Sequence, residues 1–367
     1  MSGVTLLSLL GIQLPIIQAP MAGISTPALA AAVSNAGGLG FLGLGAATAS
    51  GARAQIRETR ALTEKPFGVN VFCHKPAILD EERIARWLEW LAPQFAQFGK
   101  APPASLREIY MSFQVDRAMQ DLLLGERPAV VSFHFGVPPP DTIRLLKRAG
   151  IVLMATATSL EEAHAIARTD IDVIVAQGGE AGGHRGIFDP EGLDEELATL
   201  ALTRLLVKHT TKPIIAAGGI MDGAGIAAML ALGAQAAQLG TAFVTCSESA
   251  ADDEYRRALA STESRRTVFT VTISGRKARG LVNRFTALDD LQARPAVPDY
   301  PLAYDAGKAL RAAAKASGVE GYGAHWAGQG AWMTRPMPAA ALVELLSAEL
   351  QAAIAAVAAT RNTRTSS

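Results

Sequence analysis

Residues 213–243 read PIIAAGGIMDGAGIAAMLALGAQAAQLGTAF. The two short apolar runs at 213–216 and 236–239 have the length and composition of strands buried on both faces. Between them lies a helical pattern. Asp222 stands before it as a capping residue, and Gly233 follows it where a left-handed residue commonly ends a helix. Strand, turn, helix and strand in this order make a parallel β/α unit. Gly218 and Gly219 come directly after the first run; Gly240 and Thr241 come directly after the second. In β/α barrels the loops after the last two strands often hold a phosphate, because unpaired N–H groups and a helix N-terminus meet the anion. Tight turns are the plainer explanation for either glycine site alone. Both sites, in this order, favour a phosphate cradle.

Working outward, the same unit recurs. Short apolar runs at 16–18, 40–44, 67–70, 129–133, 151–155 and 173–176 bring the expected strands to eight, with helical patterns after most of them. Eight such units with right-handed crossovers predict an α/β fold, a (β/α)8 TIM barrel. Thr26 caps a helix begun by Pro27 and ended at Gly37. Two segments exceed the barrel's needs: a helical insertion at 75–125, and a mixed stretch at 250–335 that includes the alternating run TVFTVTIS. The expected organisation is therefore a barrel over 1–249 carrying that insertion, then a small additional α/β subdomain over 250–335, a lid or substrate piece at the barrel mouth. A final barrel helix over 336–360 follows, with Leu342, Leu345, Leu346, Leu350, Ile354 and Val357 on one face. The polar tail 361–367 is expected to be disordered.

The bulk numbers exclude several classes. Lysine plus arginine equals aspartate plus glutamate at 34 each, with no basic stripe, so a nucleic-acid partner is not expected. Cys73 and Cys246 lie far apart with no CxxC pair or cluster of histidines, which argues against a disulfide framework or a structural metal site and fits a reducing cytoplasm. No charged residue precedes Arg53, yet Pro15, Gln18, Pro20, Pro27 and Asn35 interrupt that stretch. Central strands and a buried helix explain it better than a membrane span. The expected partner is a small molecule; a homodimer is compatible with the sequence, which does not say whether the insertion at 75–125 would take part in it.

Residues 177–186, QGGEAGGHRG, put His184 among glycines just past the sixth strand. Chemistry in a parallel α/β fold gathers at such strand ends. Gln177 and Asn70 end strands six and three, where their amides either bind a cofactor or cap a turn. His134 ends strand four and either lines the pocket or packs as a satisfied histidine. Trp326 and the AGQG after it are candidates for the pocket wall. His74, His164, His209 and His325 have no metal-like partners at useful spacing.

The segments QAPMAGISTPALAAAVSNAGGLGFLG, FGVNVF, SFHFGVP, AQGGEAGGHRG, AAGGIMDGAGI and QLGTAF, in order over nearly the whole chain, resemble class I nitronate monooxygenases. The resemblance implies an FMN enzyme that oxidises alkyl nitronates, propionate 3-nitronate above all, with O2 and without NAD(P)H. It implies FMN contacts from Ala19, Pro20, Met21, Asn70, Gln177, Gly182, Gly183, Gly218, Gly219, Gln238, Leu239, Gly240 and Thr241. His184 matches the family's active-site histidine, expected to orient and stabilise the anionic substrate while a flavin semiquinone forms. His134, Tyr300, Tyr304 and Lys308 fall on the substrate side, the last three spaced by four as on one helix face. Ile24 departs from a glycine expected in many relatives. A flavin-dependent enoyl-ACP reductase shares the EAGGH loop and is the alternative enzyme; a non-catalytic barrel that binds a phosphorylated ligand is the alternative from another class.

Overall fold

The computed structural model describes residues 5–291 and 293–363. Eight strands, β1 (Ile16–Gln18), β2 (Gly40–Gly43), β3 (Phe67–Phe72), β4 (Val130–His134), β5 (Val152–Ala157), β6 (Val173–Gln177), β7 (Ile214–Ala217) and β8 (Ala236–Leu239), form one parallel sheet. Each pairs with its neighbour in sequence from β2 to β8, and β8 pairs with β1. A bridge between Ile17 and Leu39 closes the ring, with Gln18 N donating to Leu39 O and Leu39 N to Ile16 O, each at 3.0 Å. The fold is a TIM barrel, and all eight strands lie where the apolar runs placed them.

Strand alternation explains both the barrel's filling and its rim. Ile17, Phe41, Val130, Met154, Val173, Val175, Ile215 and Ala236 belong to one buried cluster, which the short helix Leu6–Leu10 joins through Leu6 and Leu10. The same inward rows continue to Ser132 and His134 on β4, Thr156 on β5, Gln177 on β6 and Gln238 on β8, which line a cavity. Apolar side chains thus fill the lower layers of the barrel and polar ones end it.

The helices cover the outside. Thr26 accepts a hydrogen bond from Leu29 N at the start of Pro27–Asn35, and Asp222 from Gly225 N at the start of Gly223–Ala231, as their positions in the sequence predict. The last helix is longer than expected, Ala339–Thr363, and so takes in 361–363; residues 364–367 lie outside the described residues. Leu342, Val343, Leu346 and Leu350 are buried, but Ile354 and Val357 are 49% and 67% exposed. The apolar face outlasts the surface it covers. By length and composition Ala339–Ala359 is apolar enough to cross a membrane, yet its first turns are packed on the helices Gly223–Ala231 and Pro27–Asn35.

Two expectations about the additions change. The helix Arg117–Glu126 packs between Ala49–Leu62 and Pro140–Arg148 with Met119, Leu122 and Leu123 buried, so it is the ordinary barrel helix between β3 and β4. The extra material therefore ends before Arg117. Its helix Glu81–Ala96 buries Trp87, Leu91 and Phe95 against Ile273, Phe285, Leu302, Leu310 and Tyr322 from the later stretch. The cap on the barrel has a core drawn from both segments. TVFTVTIS is a strand only over Thr267–Thr270; it pairs antiparallel with Ala278–Leu281, which pairs in turn with Gly183–His184.

Candidate active site

A cavity of about 900 Å³ opens at the C-terminal ends of the strands, within the usual range for small-molecule sites. The β1 loop contributes Ala19, Pro20 and Met21; the β7 loop Gly218 and Gly219; the β8 end Gln238, Gly240 and Thr241. Asn70, His134, Gln177, Gly182, Gly183, His184, Tyr300, Tyr304 and Lys308 line the same space. Leu239 does not. Alternation along β8 turns its side chain outward into the cluster beneath the helix layer, so only its backbone acts, its carbonyl accepting from Ala19 N at 2.8 Å.

The β7 and β8 loops present backbone donors. Gly219 has φ +69°, a conformation that favours glycine, and the N–H groups of Gly219 and Gly240 make no hydrogen bond among the described residues. Thr241 begins the short helix Thr241–Val244, whose first N–H groups have no intrahelical acceptor. Asn70 spends its amide N–H groups on Ser132, at 2.7 and 3.1 Å, leaving its carbonyl oxygen facing the cavity.

Gln177 is a tether. Its amide donates to His184 O at 2.9 Å and accepts from Gly186 N at 2.8 Å. Arg185 reinforces the same loop: wholly buried, it donates to Gln177 O, to Gly178 O and to both oxygens of Asp194. His184 is paired with Ala278 across the small sheet. The glycine-rich loop that carries the histidine is thus fixed by strand pairing and side-chain bonds. Gly182 has to be a glycine for space, since a Cβ there would lie 2.4 Å from Gly328 N.

The His184 ring sits among aromatic side chains, 5.1 Å from Trp326, 5.4 Å from Tyr300, 5.7 Å from Phe135 and 6.1 Å from Tyr304, centroid to centroid. Its Nε2 lies 2.9 Å from Ser274 Oγ. Burial, then the charges of His134, Arg276 and His74, lower its pKa to about 3, so the ring is neutral at pH 7. His134 is both a packed and a lining residue. Its Nε2 faces His184 O at 3.1 Å, which can only accept, so the proton is on Nε2 and Nδ1 accepts from Thr156 Oγ1 at 3.0 Å. Burial is the first cause of its lowered pKa, about 4.

On the opposite wall, Tyr300 precedes the helix Leu302–Ala316 rather than starting it, yet its ring stands 6.5 Å from that of Tyr304. The buried Tyr300 hydroxyl has no hydrogen-bond partner among the described residues. Lys308 Nζ lies 4.8 Å above the Tyr110 ring and 5.5 Å from that of Tyr304. Sequence reasoning missed four residues here. Tyr110 comes from the early insertion; Phe135 follows His134 with φ +72°, rare for a bulky side chain; Arg276 stacks 4.2 Å over the Phe135 ring; and Ser274 reaches His184. The pattern SFHFG offered a hint of Phe135; nothing local signalled the others. His325 also gains unforeseen neighbours, since Asp252 and Glu254 bring ligand atoms within 4.8 Å of it. Their carboxylates are already engaged by Arg311 and Tyr255 N, and by Gly321 N.

Barrel, glycine loops and a histidine-lined cavity meet at the rim where barrel enzymes carry their active sites. The nitronate monooxygenase family model matches residues 4–349. A nitronate monooxygenase of Paraburkholderia phytofirmans is 62% identical over 95% of each chain, and one of Pseudomonas aeruginosa 54% identical over 94% of this chain and 98% of its own. Among solved structures, a nitroalkane oxidase from Streptomyces ansochromogenes superposes with a TM-score of 0.87 at 42% identity, covering 94% of this chain and 98% of its own. The chain belongs to the nitronate monooxygenase family and is an oxidoreductase.

Proposed function

We propose that this chain uses FMN to oxidise alkyl nitronates of the propionate 3-nitronate type with O2 and without NAD(P)H. The observation that carries the proposal is the opening of two glycine loops, after β7 and β8, into the cavity that His184 lines. The lining fits a flavin mononucleotide: free N–H donors at Gly219 and Gly240 for the phosphate, an unspent Asn70 carbonyl as acceptor, and the apolar wall of Ala19, Pro20 and Met21. When bound, FMN supplies an electron acceptor for the nitronate and a donor to O2.

The chain's own residues bind and orient. Gly218, Gly219, Gly240 and Thr241 hold the phosphate; Gln177 acts by tethering the His184 loop, and Gly182 and Gly183 let that loop approach the ligand. A nitronate is already an anion, so no base is needed to activate it. Neutral His184 gives it a hydrogen bond, the Tyr300 ring walls the substrate side, His134 holds the His184 backbone, and Lys308 offers a cation to a substrate carboxylate. Tyr304 carries the ring on which Lys308 rests and, with Trp326, screens the site from water. Removal of nitronates in a reducing cytoplasm suits an enzyme whose two thiols are buried and unpaired.

Denaturing the purified protein should release one FMN per chain, identified by chromatography. His184→Asn should keep that flavin while turnover of propionate 3-nitronate falls about 100-fold, the scale of a lost acid–base or positioning group. Release of no flavin, or undiminished turnover by the variant, would contradict the proposal.

A further inference from the structure

Ser274 is buried on the turn between the strands Thr267–Thr270 and Ala278–Leu281. Its hydroxyl oxygen lies 3.0 Å from the backbone carbonyl of Arg276 and 2.9 Å from His184 Nε2. A serine hydroxyl has one proton to give, so it serves one of these acceptors at a time. When it donates to the carbonyl, Oγ accepts from an Nε2–H and Nδ1 is left with a lone pair. When it donates to Nε2, the ring carries its proton on Nδ1. The two states are isomers: one nitrogen loses a proton, the other gains one, and the net charge stays zero.

Nδ1 is the face that matters. It makes no hydrogen bond among the described residues, it is not among the enclosed orphan atoms, and the ring lines the cavity. A nitronate carries its negative charge on two oxygens, so a lone pair at Nδ1 repels it and an N–H binds it. The surroundings oppose the other way of presenting that N–H, a doubly protonated ring. Arg276 lies behind Phe135; His134 and His74 add further polar rings; Tyr300, Tyr304 and Trp326 enclose the rest without a carboxylate. His134, by contrast, is locked in one tautomer by the carbonyl it faces.

We propose that Ser274 is the positioning residue that selects which nitrogen of His184 bears the proton, its hydroxyl turning from the Arg276 carbonyl to Nε2 when an anionic oxygen arrives at Nδ1. This rests on the role given above to His184 as the group that orients the nitronate. The test is 15N NMR of histidine-labelled, flavin-loaded protein, with nitrate as a planar oxyanion probe and His184→Asn to assign the signals. The free protein should show a proton on Nε2 alone, and nitrate should move it to Nδ1 with the ring still singly protonated. In Ser274→Ala, with no hydroxyl at Nε2 to choose between them, the free ring should already populate both neutral tautomers.

In turnover, Ser274→Ala should raise the KM for propionate 3-nitronate about tenfold with a smaller change in kcat, the effect of one hydrogen bond to a charged group. Its kcat/KM should stay flat from pH 5 to 8, as in the parent, because the ring remains neutral and its two tautomers differ in no net charge. Ser274→Thr should restore the parent behaviour. A tautomer in the parent unmoved by nitrate, or a Ser274→Ala enzyme with parental KM and the parent's tautomer, would overturn the proposal. Failure of the parent to oxidise any nitronate would instead sink the functional reading, while the nitrate-induced shift still reports on Ser274 independently.

Discussion

Replacing Arg185 by methionine probes the support beneath the site. The parent guanidinium has no exposed surface and makes four bonds: to Gln177 O at 2.8 Å, to Gly178 O at 3.0 Å, and to the Asp194 carboxylate at 2.9 and 3.1 Å. Methionine fills much of the volume but leaves two carbonyls and a carboxylate without it. Lys277, 3.1 Å from Asp194, and the Glu196 N–H, also at 3.1 Å, remain. Breaking a buried pair from one side costs about 3–5 kcal/mol, and the surviving partners favour the lower end. At about 2 °C per kcal/mol for a chain of this size, the midpoint of thermal unfolding should fall by roughly 6–8 °C. The pH dependence supplies a second readout. Burial pushes the Asp194 carboxyl up, but the hydrogen bonds and charge of Arg185 prevail and hold it at about 2. A depressed carboxylate pKa stabilises the fold above its ordinary value near 4, and that stability is lost as pH falls toward 2. Arg185→Met should lose most of this acid sensitivity as well as the midpoint. Scanning calorimetry from pH 3 to 7 measures both; a midpoint within about 2 °C of the parent would refute the idea that this ion pair anchors the loop.

Two other substitutions test the walls of the cavity. Lys308→Met should raise the KM for propionate 3-nitronate about tenfold and leave that for ethyl nitronate, which lacks a carboxylate, unchanged in steady-state oxygen uptake. Gly182→Ala places a Cβ 2.4 Å from the backbone nitrogen of Gly328. The two loops must part, so the variant should bind flavin at least tenfold more weakly by fluorescence titration while melting within a few degrees of the parent.

The barrel was legible because its strands are buried on both faces and so appear as unbroken apolar runs; β6 and β7 are examples, and their glycine loops follow at once. His134 ends β4 as read, whereas β3 runs on to Phe72, so Asn70 lies two residues inside its strand rather than at the end; alternation still fixes which way both point. Leu239 shows the limit. It belongs to the right strand end, but its parity turns it away from the cavity. The cap was harder to read. Ser274, Arg276 and Tyr110 reach His184 or its neighbours only because the helix Glu81–Ala96 and the stretch beyond residue 250 share a core, a long-range pairing without a local periodicity. The last helix shows a similar limit: Ile354 and Val357 continue its apolar pattern yet stay largely exposed.

On the proposed function, a flavin anchored by the β7 and β8 loops takes electrons from a nitronate held at His184. Anaerobic mixing in a stopped-flow spectrophotometer tests it most directly. Propionate 3-nitronate should bleach the bound flavin's visible absorbance within the turnover time, and NADH or NADPH should leave it unchanged. Bleaching by a reduced nicotinamide with none by the nitronate would contradict the account and place the enzyme among the nicotinamide-dependent reductases.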